Sequence, residues 1–247
     1  MNNDLKQRPI LITGCARSGT SMIAGIVNLC GAFGGKLVGP TRLNRKGMFE
    51  NKKIRDQLVK PFLKSMGADP LGQYPLPDRN RVSKIAEEPG QARAWRIGVL
   101  NILSDHGYRQ GPWFYKGAKM CLLWPLWHAA FPNARWIIVR RLDVDIIASC
   151  KNTSFMRKCG GGDGWQRWID EHKRCFEEMH DSNLDITEVW SENIVNGDFG
   201  KLHCLIEIAG LCWNENAVKE FVEPKLFRQK GGTYPWPIER QSRRSLR

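Results

Sequence analysis

No apolar stretch in the 247 residues approaches the roughly 20 needed to cross a bilayer. Residues 9 to 13 and 136 to 139 are among the longest runs, so no transmembrane helix is expected. No secretory signal is expected either, because residues 1 to 8 are polar and Gly14 and Arg17 interrupt the apolar run behind them. A soluble, cytoplasmic protein is the expectation. The eight cysteines, at 15, 30, 121, 150, 159, 175, 204 and 212, contain no Cys-x-x-Cys pair. That speaks against a disulfide framework and leaves scattered reduced thiols. His172 and Cys175 are spaced to share a metal on a helix, yet no second ligand pair accompanies them, and no metal is expected.

Acids are scarce in two places. The chain has 38 Lys and Arg against 25 Asp and Glu, a net charge of +13. Residues 35 to 64 carry nine cations and two acids, and residues 225 to 247 carry seven and one, so the remainder is neutral. Such local excess points to an anionic ligand, or, for residues 240 to 247, to a basic tail. With 42% hydrophobic residues the length suits one medium domain, 1 to 247, ending in the basic segment 225 to 247. No internal repeat is visible.

Residues 9 to 13, PILIT, read as a strand, followed by a small-polar loop and a helix over 21 to 31. Residues 35 to 50 lack periodicity and read as a long loop, with helical spacing resuming over 51 to 66. Four prolines between 69 and 89 mark a connector. Helices are then predicted over 92 to 104, 122 to 130, 144 to 152, 164 to 180 and 200 to 211, and strands over 113 to 115, 135 to 139 and 184 to 190. This alternation implies a three-layer α/β/α fold with a central parallel sheet, whose ligands bind beyond the carboxyl ends of the strands.

After the first strand comes Gly14-Cys-Ala-Arg-Ser-Gly19-Thr20-Ser21, the glycine spacing of a phosphate loop with Thr20 where nucleoside triphosphatases place lysine. Backbone amides of Ala16 to Ser21, the helix N-terminus and the side chains of Arg17, Ser18, Thr20 and Ser21 suit an anion; a plain strand-to-helix turn is the other reading. Strand 135 to 139 runs into Arg140 and Arg141, cations where magnesium-dependent phosphoryl transfer wants an acid. Arg141, with the hydroxyl of Ser149 eight residues later, suits direct phosphate binding without metal. Solvent exposure of Arg140 and simple packing of Ser149 are the alternatives.

Two motifs here resemble the sulfotransferase family. Residues 15 to 21 are similar to its 5′-phosphosulfate loop, and WIIVRRLDVDIIAS, residues 136 to 149, to its 3′-phosphate motif. Residues 115 to 125, with Lys116, resemble the strand-to-helix segment of bacterial members, and 186 to 210 the strand, acidic turn and helix that follow. The resemblance implies a P-loop-like sulfotransferase fold and a donor, 3′-phosphoadenosine 5′-phosphosulfate (PAPS), leaving as 3′-phosphoadenosine 5′-phosphate (PAP). It places the phosphosulfate on Ala16, Arg17, Ser18, Gly19, Thr20 and Ser21 and the 3′-phosphate on Arg141 and Ser149. Arg17 would stabilise the charge developing on the leaving phosphate. Lys116 would steady the sulfuryl oxygens, as would Lys119 unless it faces water.

The histidine base of cytosolic members has no counterpart, since Ala118 stands there. Gly47-Met-Phe-Glu50-Asn resembles a stretch of bacterial members that carries a carboxylate base, which makes Glu50 the candidate; capping the next helix or pairing with a lysine is its other reading. His128 is an alternative base or a packed histidine. Phe227-Arg-Gln-Lys230-Gly231-Gly partly resembles the loop that covers the nucleotide, which adds Lys230 and Gly231 to the donor site. Of ten tryptophans, Trp95, Trp113, Trp124 and Trp127 read as core, while Trp165, Trp168 and Trp236 flank loops and suit stacking on an acceptor. Residues 159 to 164 read as a flap or a linker. The expected activity is metal-independent sulfuryl transfer to a hydroxyl, or an amine, of a small-molecule or carbohydrate acceptor. A magnesium-dependent nucleotide kinase with a degenerate phosphate loop is the runner-up. A nucleic-acid-binding module is the third reading, and it lacks a motif.

Overall fold

The computed structural model describes residues 8 to 227 apart from Leu43, Arg157, Lys158, Gly160 and Gly162. Four strands, β1 (Ile10–Gly14), β2 (Phe114–Lys116), β3 (Arg135–Arg140) and β4 (Asp185–Trp190), form one parallel sheet in the order β2-β1-β3-β4. β1 is central, pairing Ile12 with Lys116 on one side and with Ile137 on the other. The runs ILIT and WIIV are continuously apolar because both faces of the sheet are covered. Alternate side chains divide between two cores: Ile10, Ile12, Ile137 and Val139 enter one, Leu11, Trp136 and Ile138 the other.

The helices in chain order are α1 (Thr20–Leu29), a π-helical segment Ile54–Val59 running into α2 (Lys60–Ser65), α3 (Arg79–Glu87), α4 (Pro89–Asp105), a 3₁₀ segment Ala118–Leu123 running into α5 (Trp124–Ala130), α6 (Asp143–Lys151), α7 (Gly164–Asp181), α8 (Ser191–Val195), α9 (Gly200–Ile208) and α10 (Glu215–Phe221). Residues of α1, α9 and α10 line the first core, and those of α2 to α7 the second, which gives three layers. Among the described residues no helix is long and apolar enough to cross a membrane.

Two expectations need correction. Residues 69 to 89 are more than a connector, because α3 lies within them. Asp78 caps it, its carboxylate accepting from the Arg81 amide at 2.7 Å, and the prolines stand before the helix or, as Pro89, open the next one. Trp165 and Trp168 are core residues of α7, and the Trp168 indole donates to the Gly72 carbonyl. They do not line a loop for an acceptor. Lys230, Gly231, Trp236 and the basic stretch 240 to 247 lie outside the described residues, as do parts of the expected flap.

Candidate active site

With β1 in the middle of the sheet, the loop that follows it lies between the ends of β2 and β3. Gly14 makes this approach possible, since a Cβ there would stand 2.4 Å from the Val139 carbonyl. Gly19 has φ +97°, and a Cβ would meet the Ser191 hydroxyl at 2.2 Å. That hydroxyl donates to the Ser18 carbonyl and ties the loop to the turn between β4 and α8. Arg17 adopts φ 72°, a left-handed conformation uncommon for a non-glycine residue and typical of functional loops.

The loop is prepared for an anion. The amides of Gly19, Thr20 and Ser21 donate to no acceptor among the described residues, and no side chain caps α1, so its N-terminus presents donors and the positive end of its dipole. The Ser18 hydroxyl is fully buried and lacks a hydrogen-bond partner among the described residues. Ala16 packs its methyl against the core and offers only backbone.

The second motif reaches the same loop. Arg141, 8% exposed, donates from a terminal nitrogen to the Arg17 carbonyl at 2.9 Å, and the Arg17 Nε donates to the Ser149 Oγ, also at 2.9 Å. Phe227 lies over the Arg141 guanidinium at 4.2 Å. Arg140 has a different task. It pairs with Glu188 at 3.1 Å and packs on Phe176 and Trp190, so it fixes β3 to β4 instead of facing solvent. A groove of about 350 Å³ lined by Arg140, Arg141, Leu142, Asp143, Lys173 and Trp190 opens beside them.

At the end of β2, Thr13 bonds across to both sides of the turn, donating to the Gly117 carbonyl and accepting from the Cys121 amide, each at 3.1 Å. This seats Lys116, 5% exposed, against the sheet. Burial pushes its ammonium down to about 8; Glu50 opposes the fall, while Lys119, Arg17 and Arg55 add to it. Glu50 is 4% exposed, with Arg55 at 3.5 Å and Lys119 at 3.7 Å. Burial pushes its carboxyl up, but Lys119, Lys116 and Arg55 together outweigh that and hold it below the usual range. Its Oε1 makes no hydrogen bond among the described residues. Asn51 caps the following helix, its Oδ1 accepting from the Ile54 amide at 3.2 Å, so Glu50 is released from that duty.

The Lys116 charge thus acts on the buried carboxylate and is acted on by that of Arg17 in the phosphate loop. His128 lies apart on α5, its pKa lowered by burial with no charged group acting on it. His172 is held by the Trp168 carbonyl at 2.8 Å, and burial pushes it to about 4. The basic segment 35 to 64 also serves the fold: Lys46 pairs with Glu223, Lys53 with Asp105, Lys60 with Asp56, and Arg55 with Asp56 and Glu50. Its charge excess is thus only partly available to a ligand. Sequence reasoning missed Arg55, Ser191 and Tyr115, whose buried hydroxyl has no partner among the described residues, and read Phe227 only as the head of the loop expected over the nucleotide. Arg55 carried a weak signal, a cation one turn from Glu50; the others carried none.

No family model and no curated protein matches this sequence. Among solved structures, the chain is similar to the sulfotransferase domain of the Synechococcus PCC 7002 olefin synthase, with TM-score 0.55 and 14% identity over 97% of this chain and 94% of that one. It is also similar to sulfotransferase STF9 from Mycobacterium avium, with TM-score 0.53 and 12% identity over 87% of this chain and 67% of that one. Such identities speak for the path of the backbone. A parallel sheet with a lysine-free phosphate loop at its centre and arginines at the end of the next strand thus belongs to a known architecture: the chain has the α/β fold of the sulfotransferases.

Proposed function

We propose that the chain transfers a sulfuryl group from PAPS to a hydroxyl, or an amine, of a small-molecule or carbohydrate acceptor. The observation that carries this reading is Lys116, buried between the loop that bears Arg17 and the carboxylate of Glu50. The donor fits the residues present, because an anion would satisfy the three loop amides and the orphaned Ser18 hydroxyl. When bound, it supplies an activated sulfuryl group whose leaving group is a phosphate.

In this reading the amides of Gly19 to Ser21, with Arg17, Ser18, Thr20 and Ser21, hold the phosphosulfate, and Ala16 fixes the loop's path. Arg141 and Ser149 hold the 3′-phosphate, with Lys230 and Gly231 closing over the nucleotide. Lys116 neutralises the sulfuryl oxygens. Glu50, ionised by its cationic neighbours, takes the acceptor proton on the Oε1 that has no hydrogen bond. Arg17 stabilises negative charge on the departing phosphate. The cations at the end of β3 favour direct phosphate binding over the magnesium site of a kinase.

Calorimetric titration of PAP against ATP, with and without magnesium, tests the reading. Metal-independent binding of PAP, weakened in Arg141→Ala and largely kept in Arg17→Ala, is expected, while Arg17→Ala loses about 10²- to 10³-fold in kcat. Magnesium-dependent ATP binding with no preference for the bisphosphate would overturn it.

A further inference from the structure

Glu50 stands at the end of the loop that leaves Gly35, and its place is set from the backbone. The Val38 amide donates to the Glu50 carbonyl at 3.0 Å, and Leu37 bridges Asn51 in an antiparallel pair, so the two ends of the loop lie side by side. Asn51 is 1% exposed. Its Oδ1 accepts from the Ile54 amide at 3.2 Å, and its Nδ2 donates to the Gly34 carbonyl at 3.0 Å. The same Nδ2 lies 3.2 Å from Nδ1 of His106, the residue just after α4. The Lys36 amide donates to that Nδ1 as well, at 3.1 Å. Gly35 makes room for this meeting, since its φ is +72° and a Cβ there would stand 2.6 Å from both Asn51 Nδ2 and His106 Nδ1. One imidazole nitrogen therefore ties the residue that enters the loop to the residue next to Glu50.

These bonds fix the protonation state of the ring. A backbone amide only donates, and the Asn51 side chain is oriented by an acceptor at its nitrogen and a donor at its oxygen, so Nδ1 faces two N–H groups and carries no proton. The ring proton is on Nε2, which is buried without a partner among the described residues. A second proton has only Nδ1 to go to, where it would replace two accepted hydrogen bonds by an N–H aimed at two others. The imidazolium and the closed clamp exclude each other. Burial lowers the His106 pKa below the ordinary 6.5, Lys53 and Lys36 add to the fall, and Asp105, paired with Lys53 at 3.7 Å, resists it. For Glu50, burial is outweighed by Lys119, Lys116 and Arg55, so loss of its own charge gives no acid midpoint above the ordinary 4.5.

Resting on the sulfotransferase reading, we infer that His106 is a positioning residue: its neutral ring, acting through Asn51, holds Glu50 in place to take the acceptor proton, and its protonation releases the loop and turns transfer off. His106 acts on the base alone. The phosphate loop is tied elsewhere, by the Ser191 hydroxyl to the Ser18 carbonyl and by Arg141 to the Arg17 carbonyl, so donor binding does not follow the state of the ring.

Two measurements on the full chain test this, and one of them needs no turnover. NMR of the His106 ring, the Lys36 amide and the Asn51 side-chain amide follows the clamp from about pH 4 to 8. All three are expected to move with one midpoint, below 6.5. The acid limb of kcat, with PAPS as donor, should share that midpoint. His106→Leu, which accepts no hydrogen bond, should lose about 10- to 100-fold in kcat at every pH, with PAP affinity within about twofold of the parent. His106→Asn puts a carbonyl oxygen that does not titrate in place of Nδ1, so it should recover most of that loss and show no limb at the parent's midpoint. A ring titration that leaves the Lys36 and Asn51 signals unmoved, or a limb that persists in His106→Asn, overturns the inference. If His106→Leu fails to fold, the NMR midpoints and the limb in His106→Asn decide without it. A parent that neither binds PAP nor transfers from PAPS overturns the sulfotransferase reading instead, and the shared NMR midpoint still decides the clamp.

Discussion

At the scale of single residues, Lys116 changes protonation at about pH 8, where an exposed lysine would keep its charge. Burial lowers its affinity for the proton more than Glu50 restores it. If its cation steadies the sulfuryl oxygens, kcat/KM should fall as the pH rises through about 8. Lys116→Arg keeps the charge, and its alkaline limb should move above pH 10 at a reduced rate. A pH–rate profile of both proteins decides this, and a limb near 8 in the arginine variant would remove Lys116 from the chemistry. The lysine itself was readable as the head of a strand-to-helix segment, but its burial was not. Burial comes from Thr13, which holds the turn after β2 from the neighbouring strand. Glu50 was readable only as one of two possibilities. The Asn51 side chain takes the cap and so removes that possibility, while Lys119 at 3.7 Å keeps the pairing with a lysine beside the reading as a base.

At the scale of elements, the strands were legible because a parallel sheet covered on both faces demands unbroken apolar runs, and ILIT and WIIV are such runs. The stretch before α4 was misread because proline was weighed above capping. Asp78 and the Arg81 amide three residues on form a helix start that the surrounding prolines leave intact. Asp78→Ala should cost about 1 kcal/mol of stability, with PAP binding unchanged, as measured by urea unfolding and calorimetry. Loss below a few tenths would mean that tertiary packing, not the cap, holds α3. The short helix α10 left no periodic signal. It is stable because Phe221 packs against Gly25 of α1, where a Cβ would stand 2.2 Å from the ring, and against Phe49 at 5.7 Å.

At the scale of the whole molecule, the cysteines govern alkaline stability. Burial raises the thiols of Cys150 and Cys175 to about 12, from 9.0, and raises those of Cys15 and Cys121 well above their ordinary value too. A group raised in the folded state stabilises fully below its unfolded value and loses that contribution as the pH climbs toward the folded one. Each such thiol therefore costs about 1.4 kcal/mol per pH unit above 9. Lys116 acts oppositely, since its folded value is depressed and the folded state gains between about 8 and 10.5. Four thiols outweigh one lysine, so unfolding under reducing conditions should show a net loss of a few kcal/mol between pH 7.5 and 10. Stability unchanged over that range would mean that these thiols are not shielded from water.

What the sequence by itself determined is what local patterns encode. Glycine spacing, strand runs and each of the two motifs taken singly are contained in about fifteen consecutive residues, so sheet class and phosphate loop were legible along the chain alone. The tertiary structure decided what depends on residues far apart in the chain: which of two adjacent arginines turns to the loop, which cations lower the Glu50 carboxyl, and how Lys116 becomes buried near both Glu50 and the loop. Those outcomes arise from burial and from charges brought together from remote segments of the chain, and no local pattern carries either.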